Sequence, residues 1–524
     1  MELPPHISAS SAARYPALRR EMVRSNRVVI STLVCIGILI PLLLISPSCF
    51  HWFVIPLFGC GVICGVDGLR ILEPKGRQLF NPSAMVGVFG MYFFYIAPIL
   101  HVVLDYWFTS TTIPTDGAPD DWRVWLGLMG LINLGGLSLY QWSRRSTLFQ
   151  RRKIKPAAVY EVDLTLLRFY GPVLLSVAFI AQVYIYAKFG GIGGFISAFN
   201  NIKAGDTTFQ GLGWLMCIAE SFPTLLLIVW AAQYRGESRR WGILGVSVMI
   251  PVMFPLILIF GGLRGSRGNT VYAIMYVLGI VHLNLRRVTW RAIAILSVAV
   301  VAFMYIYGFY KVNENTFIEA ISSLDTMSYE SERTGRSLDA VLLGDMDRAD
   351  VQAFELFEIA QKKLDVTYGL GRTYLDSALN FIPHALMANR PPGKLKYGTD
   401  LFFGEGTYVP DPASGFGFVS TKIYGLAGEA MLNWGPVAPF ISFWFFGWFV
   451  ARVQIFNDGL SPLDSRRYLA PIIAICCVVI VSSDLDNVLY VLLRQALMPG
   501  ILVGLCSRRR RLVRRPQALV PLPA

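Results

Sequence analysis

The chain has 524 residues, of which 54% are hydrophobic and 15% are charged, and its formal net charge is +13. Ordinary soluble domains carry about a quarter charged residues, so this composition excludes a soluble globular protein and indicates a membrane protein. In a membrane protein a basic excess reflects orientation and contact with anionic lipid. The charge therefore gives no reason to expect nucleic acid as a partner.

Apolar runs of about 17 to 25 residues recur along the chain, which is the length that a helix needs to cross about 30 Å of hydrocarbon. The first run follows an arginine-rich segment and lacks a small-residue cleavage site, so we expect a retained span rather than a signal peptide. The sequence predicts twelve transmembrane helices, near 28–46, 50–66, 83–104, 124–140, 166–187, 211–232, 241–260, 270–285, 292–310, 435–451, 468–483 and 488–506.

The distribution of lysine and arginine predicts how these spans are oriented, because basic residues concentrate in cytoplasmic loops. With the N-terminus inside, more than half of the 47 basic residues fall in inner segments, among them 142–165 and the tail. The outer gaps are then acidic or neutral. We expect a multi-pass protein with both termini in the cytoplasm.

One long hydrophilic stretch, 311–433, interrupts the pattern and faces outward on this topology. It holds 17 acidic and 11 basic residues, and its apolar residues recur at helical spacing over 337–364. The sequence thus predicts an all-α polytopic membrane protein. Spans one to nine occupy 1–310, an extracytoplasmic helical cap occupies 311–433, the last three spans occupy 434–506, and 507–524 is a basic cytoplasmic tail.

The segment GGLRGSRGNT, 261–270, places Arg264 and Arg267 among four glycines in a short outer loop, where basic residues are disfavoured. Glycines let backbone amides approach a ligand closely, and arginine forks match phosphate oxygens. We predict that both arginines bind a pyrophosphate. The alternative is that they extend to lipid headgroups without a specific ligand.

The cap offers further candidates for phosphate or sugar chemistry. Arg372 precedes a helix-like segment and could contact phosphate, or it could be a surface cation. His384 is the one histidine of the cap and could transfer a proton near neutral pH, although a lone histidine is more often structural. Arg390, Lys394 and Lys396 form a basic run that either contacts phosphate or is merely solvated.

Charged residues near or inside the spans form a second group. Glu429 lies in an apolar setting at the entrance to span ten, so it needs a partner. We expect Arg264 or Arg267 to pair with it; the alternative is that Glu429 accepts the proton of an acceptor hydroxyl. Glu220 and Arg494 lie within spans, where they either line a substrate cavity or form a structural ion pair.

Two short acidic patterns and the cysteines carry no metal prediction. DMD at 345–347 and DLD at 484–486 match a three-residue motif of metal-dependent transferases, but such patterns arise by chance and we interpret them as solvated acids. The eight cysteines show no zinc or redox spacing and are most simply small apolar residues. We expect no metal and no cofactor.

Four blocks of the sequence, in order, resemble the bacterial O-antigen and oligosaccharide repeat-unit polymerases of the Wzy type. They are GGLRGSRGN after an apolar span, YGFY at the end of span nine, NFIPHALMANRPPG at 380–393 and STKIYGLAGEAMLNWGPVAPFISFWFFGWF at 420–449. The resemblance covers about half of the chain, roughly 190–450. The chain departs from the family pattern after the Ile-Pro pair, where family members often carry arginine and this sequence has His384.

The resemblance implies a membrane glycosyltransferase of the GT-C kind, without a metal or cofactor, in the inner membrane. It would transfer a glycan from undecaprenyl pyrophosphate to the non-reducing end of another lipid-linked repeat unit at the periplasmic face. Its partners would be these lipid-linked glycans, the bilayer and a chain-length regulator. Under this interpretation Glu429 and His384 are catalytic, Arg264, Arg267, Arg372 and Arg390 bind pyrophosphate, and Glu220, Arg494 and Lys394 line the cavity.

Three other functions remain open from the sequence. An O-antigen ligase shares the architecture and the lipid donor, although its resemblance to these blocks is poorer. A lipid-linked oligosaccharide flippase would also carry intramembrane charges, but the two halves of the chain show no duplicated pattern. A scaffold that regulates chain length usually needs only two spans.

Overall fold

The computed structural model describes most of the chain as a helical membrane protein. The described residues are 9–72, 79–107, 118–150, 158–202, 211–234, 243–264, 267–312, 323–334, 337–362, 366–382, 386–387, 390–408 and 422–509.

The first part of the chain is a succession of apolar helices. Their bounds are α1 Ala9–Ile45, α2 Val54–Gly68, α3 Pro82–Met91, α4 Ala97–Val103, α5 Trp122–Gln150, α6 Leu164–Lys188, α7 Ile192–Ile202, α8 Gly213–Glu220, α9 Phe222–Gln233, α10 Ile243–Phe260, α11 Arg267–Ile280 and α12 Trp290–Val312. A π-helix, Tyr92–Ile96, joins α3 to α4, and a second one, Val281–Leu285, extends α11.

The remaining helices belong to the predicted cap and to the last spans. They are α13 Leu324–Thr334, α14 Ala349–Lys362, α15 Arg372–Leu379, α16 Lys394–Phe403, α17 Gly425–Trp434, α18 Ala438–Gly459, α19 Ala470–Ser482 and α20 Leu485–Leu505. A π-helix, Ala340–Asp345, precedes α14.

Within the described residues, ten helical segments are long and apolar enough to cross a membrane, and two further apolar helices, Pro251–Phe260 and α19, are shorter. These twelve segments coincide with the twelve predicted spans. The chain is therefore an all-α, multi-pass membrane protein, as predicted. The count of twelve crossings stays a prediction, because α19 has only 13 residues.

The sixth span is broken at Ser221, between α8 and α9, because Pro223 has no backbone N–H to continue the helical ladder. The hydroxyl of Ser221 donates to the carbonyl of Ile218 at 2.6 Å. This break places Glu220 at the end of α8.

The cap is built around α14, in which every residue from Ala349 to Ile359 is buried. One side of the helix packs on α5, where Phe354 lies 6.0 Å from Trp122 and Phe357 lies 5.3 Å from Trp125, between ring centroids. Phe402 of α16 lies on another side, 5.1 Å from Phe354. The predicted helices of the cap are present, but α14 is enclosed rather than amphipathic.

Two short strands, β1 Tyr160–Val162 and β2 Ser507–Arg509, pair antiparallel and depart from the all-helical pattern. They join the predicted inner loop at 142–165 to the predicted tail. Arg466, from the loop before α19, donates to the carbonyl of Ala158 at 2.8 Å. These segments, all predicted to be cytoplasmic, thus lie together on one face.

The predicted outer segments gather on the opposite ends of the spans. Arg123 at the start of α5 donates to the carbonyl of Ser48, and Trp214 at the start of α8 donates to the carbonyl of Phe381 in the cap. The grouping of the loops agrees with the predicted alternation. Which of the two faces is cytoplasmic stays a prediction.

Candidate functional site

A network of buried polar groups forms where α15 and α17 of the cap meet the start of α20. Glu429 of α17 accepts a hydrogen bond from the hydroxyl of Thr373 at 2.9 Å and one from the backbone amide of Leu485 at 2.7 Å. Asn433 donates to Thr373 Oγ1 at 2.7 Å, and its side-chain oxygen accepts from the amide of Gly371 at 2.8 Å. Glu429 therefore links the first turn of α15 to the N-terminus of α20.

Lys394 forms the second part of this network. Its ammonium lies 2.5 Å from Asp484 Oδ2 and 3.0 Å from Asp486 Oδ1. Asp484 is fully buried, and its other oxygen accepts from the amides of Tyr424 and Gly425, each at 2.8 Å. The prediction that the DLD acids are solvated is therefore wrong for Asp484. This carboxylate is buried, and Lys394 and two backbone amides take the place of water around it.

Asp376 and Arg390 complete the cluster. The Asp376 carboxylate lies against Gly393, where an added Cβ would come within 2.2 Å of Oδ2. Desolvation raises the pKa of Asp376, Arg390 and Lys394 lower it in part, and Asp486 raises it. Arg390 also donates to the side chain of Asn380 at 3.0 Å. Gly393, the glycine of the 380–393 block, thus leaves room for the Asp376 carboxylate near Arg390 and Lys394.

Burial raises the pKa of several carboxyl groups here. Desolvation, with a smaller contribution from Asp484, raises the pKa of Glu429 to about 8. Desolvation also raises the pKa of Asp376 to about 6. The pKa values of Asp484 and Glu355 are raised for the same reason, and that of Glu355 lies well above its usual range. Carboxyl groups with pKa values near neutral are suited to proton transfer.

Arg267 lies in another contact, at the N-terminus of α11. Both terminal nitrogens of its guanidinium donate to the Asp345 carboxylate, Nη1 to Oδ2 and Nη2 to Oδ1, the latter at 2.7 Å. The predicted pairing of Arg267 with Glu429 is wrong, because Asp345 of the π-helix reaches the arginine and Glu429 is held elsewhere. The side chain of Arg264 lies outside the described residues.

The prediction that the two aspartates of the DMD segment are solvated is also wrong. Asp347 is 1% exposed and its Oδ2 lies 3.1 Å from His101 Nε2 in the third span. Asp345 and Asp347 therefore attach the cap to two different spans. The prediction failed because neither His101 nor Arg267 is near this motif in the sequence.

Glu220 and Arg494 lie within the spans and form an ion pair, with 3.6 Å between Glu220 Oε2 and Arg494 Nε. The Arg494 guanidinium also lies over the ring of Tyr490 at 4.3 Å. This contact agrees with the structural alternative for these two residues. Their distance from the Asp484 cluster is roughly 14 Å along α20, at 1.5 Å per residue.

Glu220 borders two small cavities that reach Gly261 and Gly262 of the GGLRGSRGNT segment. Thr270 and Gln495 line the second cavity, and each has a buried side-chain oxygen without a partner among the described residues. Space is tight at both glycines, because an added Cβ would lie 3.1 Å from Glu220 Cγ at Gly261 and 2.7 Å from Leu258 Cδ2 at Gly262.

The remaining candidates are less constrained. Arg372 is exposed at the first position of α15. Lys396 lies 5.9 Å from the ring of Tyr397. His384 lies outside the described residues. Arg390, Lys394 and Glu429 are thus brought together near Arg372, whereas Arg267, Glu220 and Arg494 lie in separate contacts.

Sequence reasoning missed Asp376, Thr373 and Glu355, and it interpreted Asp345 as a solvated acid. A signal was present for Asp376, which follows Arg372 by four residues in RTYLD and so lies near it on a helix. Among the described residues, no group of three or more His, Cys, Asp or Glu side chains is arranged to hold a metal ion.

Comparison with known proteins identifies no relative of the chain. It matches no family model, no curated protein and no solved structure. The resemblance to repeat-unit polymerases therefore stays a prediction from the sequence blocks.

Proposed function

We propose that the protein is a membrane glycosyltransferase that polymerises oligosaccharide repeat units carried on a polyprenyl pyrophosphate. The observation that supports this is the cluster of Asp376, Arg390, Lys394 and Asp484 at the membrane end of the cap. It combines a carboxyl group whose pKa is raised to about 6 with adjacent cations. Glycosyl transfer needs a proton acceptor and charges that stabilise a departing pyrophosphate.

In this proposal the acceptor hydroxyl attacks the anomeric carbon of the donor glycan, and the bond from that carbon to the pyrophosphate oxygen breaks. Asp376 accepts the hydroxyl proton. Arg390 stabilises the charge that develops on the pyrophosphate, which leaves with the bonding electrons. Glu429 acts as a positioning residue, because it holds Thr373 and thereby the helix that carries Asp376.

The location and architecture belong to the same proposal. The cap would face the periplasm, the spans would lie in the inner membrane in a GT-C arrangement, and a chain-length regulator would be a partner. The predominance of basic residues in the segments that gather around β1 and β2 supports this orientation.

The direct test is reconstitution of the purified protein in liposomes with a synthetic lipid-linked repeat unit. A ladder of products at repeat-unit spacing is expected from the wild type. Asp376→Asn should give no ladder, while Asp325→Asn, which alters an exposed carboxylate on α13, should give the wild-type ladder. Absence of a ladder from folded wild type would overturn the proposal.

The predicted roles of Arg264 and Arg267 have a test of their own. Removing one preorganised donor from a developing anion costs roughly 10²- to 10³-fold in rate, so alanine should give that loss and lysine should restore only part of it. Asp345→Asn separates the two possible roles of Arg267. If Arg267 binds pyrophosphate, Asp345→Asn retains activity; if the ion pair only holds the cap, Asp345→Asn and Arg267→Ala lose activity alike.

A transporter for lipid-linked oligosaccharides is the second candidate, favoured by the intramembrane pair of Glu220 and Arg494. Charged pairs within spans often mark substrate pathways. A transporter would move a labelled lipid-linked unit across the liposome membrane without forming a ladder. Loss of that movement in Glu220→Gln would support this second function.

A further inference from the structure

Four large apolar side chains of the cap and its junction with span ten are exposed. Leu370 is 69% exposed, Leu375 is 52%, Trp434 is 50% and Val437 is 70%. Exposed apolar residues that occur singly need no explanation, but a contiguous group marks an interaction surface.

These four residues lie on two neighbouring segments, 370–375 and 434–437. The amide of Leu370 donates to the carbonyl of Asn433 at 3.0 Å. Because Asn433 is the residue before Trp434, Leu370 lies close to Trp434. The Trp434 ring lies 5.6 Å from Tyr374 of α15, and an added Cβ at Gly371 would come within 3.1 Å of it. Val437 follows Trp434 by three residues. We call this group, with Arg372, the α15 face.

Three observations place the α15 face close to the ends of the membrane spans. Val437 is the residue before α18, so the face is one turn or less from the start of a span. The carbonyl of Phe381, just beyond α15, accepts from Trp214 in the first turn of α8. Glu429 joins the first turn of α15 to the amide of Leu485, where α20 begins. The helix α15 therefore lies level with the ends of three spans.

The apolar surface continues directly onto the outside of span ten. Ile441 and Phe445, one and two turns into α18, are 59% and 56% exposed. Residues of a span that are exposed in this way contact lipid chains. Arg372 is exposed three residues before Leu375, on the same side of α15, where it can reach headgroup phosphates while the leucine faces the hydrocarbon.

We propose that the α15 face lies within the interfacial layer of the bilayer, with Leu370, Leu375 and Trp434 among the upper acyl carbons and Arg372 on phospholipid phosphate. Tryptophan, arginine and leucine in this arrangement are the usual components of an interfacial anchor. The proposal does not depend on the catalytic function. It implies that Asp376, one residue from Leu375, lies at the membrane surface rather than above it.

Collisional quenching tests the proposal in the full-length protein in liposomes. A fluorophore on Leu375→Cys should be quenched by phosphatidylcholine brominated at acyl carbons 6 and 7, and only weakly by aqueous iodide. Ile441→Cys is the lipid-facing reference, and Glu405→Cys, on an exposed polar turn of the cap, is the aqueous reference.

Each result decides the matter. Lipid quenching at position 375 close to that at 441 supports the proposal. Iodide quenching like that at 405 would place the face in water and overturn it. Protection from both quenchers would mean that protein covers the face, which overturns it equally.

A second measurement tests the phosphate contact. One basic residue near an anionic surface contributes about 1 kcal/mol, which corresponds to about a fivefold change in binding. Retention of anionic phospholipid by the purified protein should fall by at least fivefold in Arg372→Glu, because the substitution removes a basic charge and adds an acidic one. Lys396→Glu, the matched charge change on α16, should retain the wild-type amount; an equal loss in both variants would contradict a specific contact at Arg372.

Discussion

At the scale of single residues, Asp376 gives the sharpest pH prediction. Its pKa in the folded protein, about 6, lies above the ordinary value of 3.8. The folded state therefore keeps this proton longer than the unfolded state as the pH rises, and the stability falls between about pH 4 and pH 6. Asp376→Asn should unfold at a higher temperature than wild type at pH 8, and the two should converge at pH 4.

The same substitution separates a catalytic role from a structural one. If Asp376 accepts the acceptor proton, the transfer rate of wild type should rise through about pH 6, and the stabilised Asn variant should have no activity at any pH. An active Asn variant would show that another group accepts the proton. Thermal unfolding and polymer synthesis, measured on the same preparations, provide the comparison.

Lys394 should have a large effect on stability. Lys394→Met leaves Asp484 fully buried without its counter-charge, and breaking a buried pair in this way costs about 3–5 kcal/mol. Adding Asp484→Asn should restore much of the loss, because Asn keeps an oxygen for the amides of Tyr424 and Gly425. Lys396→Met, two residues along α16, serves as the control in a thermal unfolding assay. A small loss in Lys394→Met would mean that solvent reaches Asp484.

The residues that the sequence identified as unusual were charges in apolar surroundings, such as Glu220, Arg494 and Glu429. Each does have a buried partner, as the cost of an isolated charge requires. The pairing of Glu220 with Arg494 was one of the two alternatives that the sequence left open, whereas the partners of Glu429 could not be predicted because they come from distant parts of the chain. Arg494 belongs to α20 and Asp484 is the residue before it, whereas Glu220 and Lys394 reach them from α8 and α16.

At the scale of elements, α5 and α18 pack closely along their length. Gly136 of α5 accommodates the ring of Phe443, where an added Cβ would come within 2.3 Å. Gly447 of α18 lies on the backbone of Tyr140, where an added Cβ would be 2.4 Å from the carbonyl oxygen. Small residues at such positions allow two helices to approach closely in a membrane.

Gly447→Ala should therefore destabilise the pair. The backbone of Tyr140 cannot move aside as a flexible side chain can. Overpacking of this kind lowers the free energy of unfolding by about 1–3 kcal/mol. Gly504→Ala, in α20, is the matched control because nothing lies within 4 Å of its added Cβ. The midpoint of thermal unfolding should fall for Gly447→Ala alone. Equal midpoints would indicate that the helices separate without loss of packing.

Hydrophobic periodicity predicted that α14 is a helix but did not predict its environment. An amphipathic pattern implies one solvated face, yet Asp350, Glu355 and Glu358 are all buried. Periodicity reports which residues can share a face and not what covers the other side. Here α16 and α17 cover it, and their positions depend on contacts that are distant in the sequence.

At the scale of the whole molecule, length and composition were sufficient for the spans, because the thickness of hydrocarbon sets one minimum length for every crossing. Charge distribution predicted which loops lie together, and the pairing of β1 with β2 confirms that 158–163 and 507–509 share a face. These arguments could not predict how the cap docks on the spans. It depends on specific pairs such as Asp347 with His101.

The orientation of the molecule can be tested in a nearly silent background, because all eight native cysteines are buried. A membrane-impermeant maleimide applied to spheroplasts should therefore label wild type weakly. Glu405→Cys, in the cap, should label from outside, since the excess of basic residues in the opposite loops predicts an outward cap. Gly459→Cys, at the end of α18, should label only after the membrane is permeabilised. The reverse pattern would place the Asp376 cluster in the cytoplasm and would exclude a periplasmic polymerase.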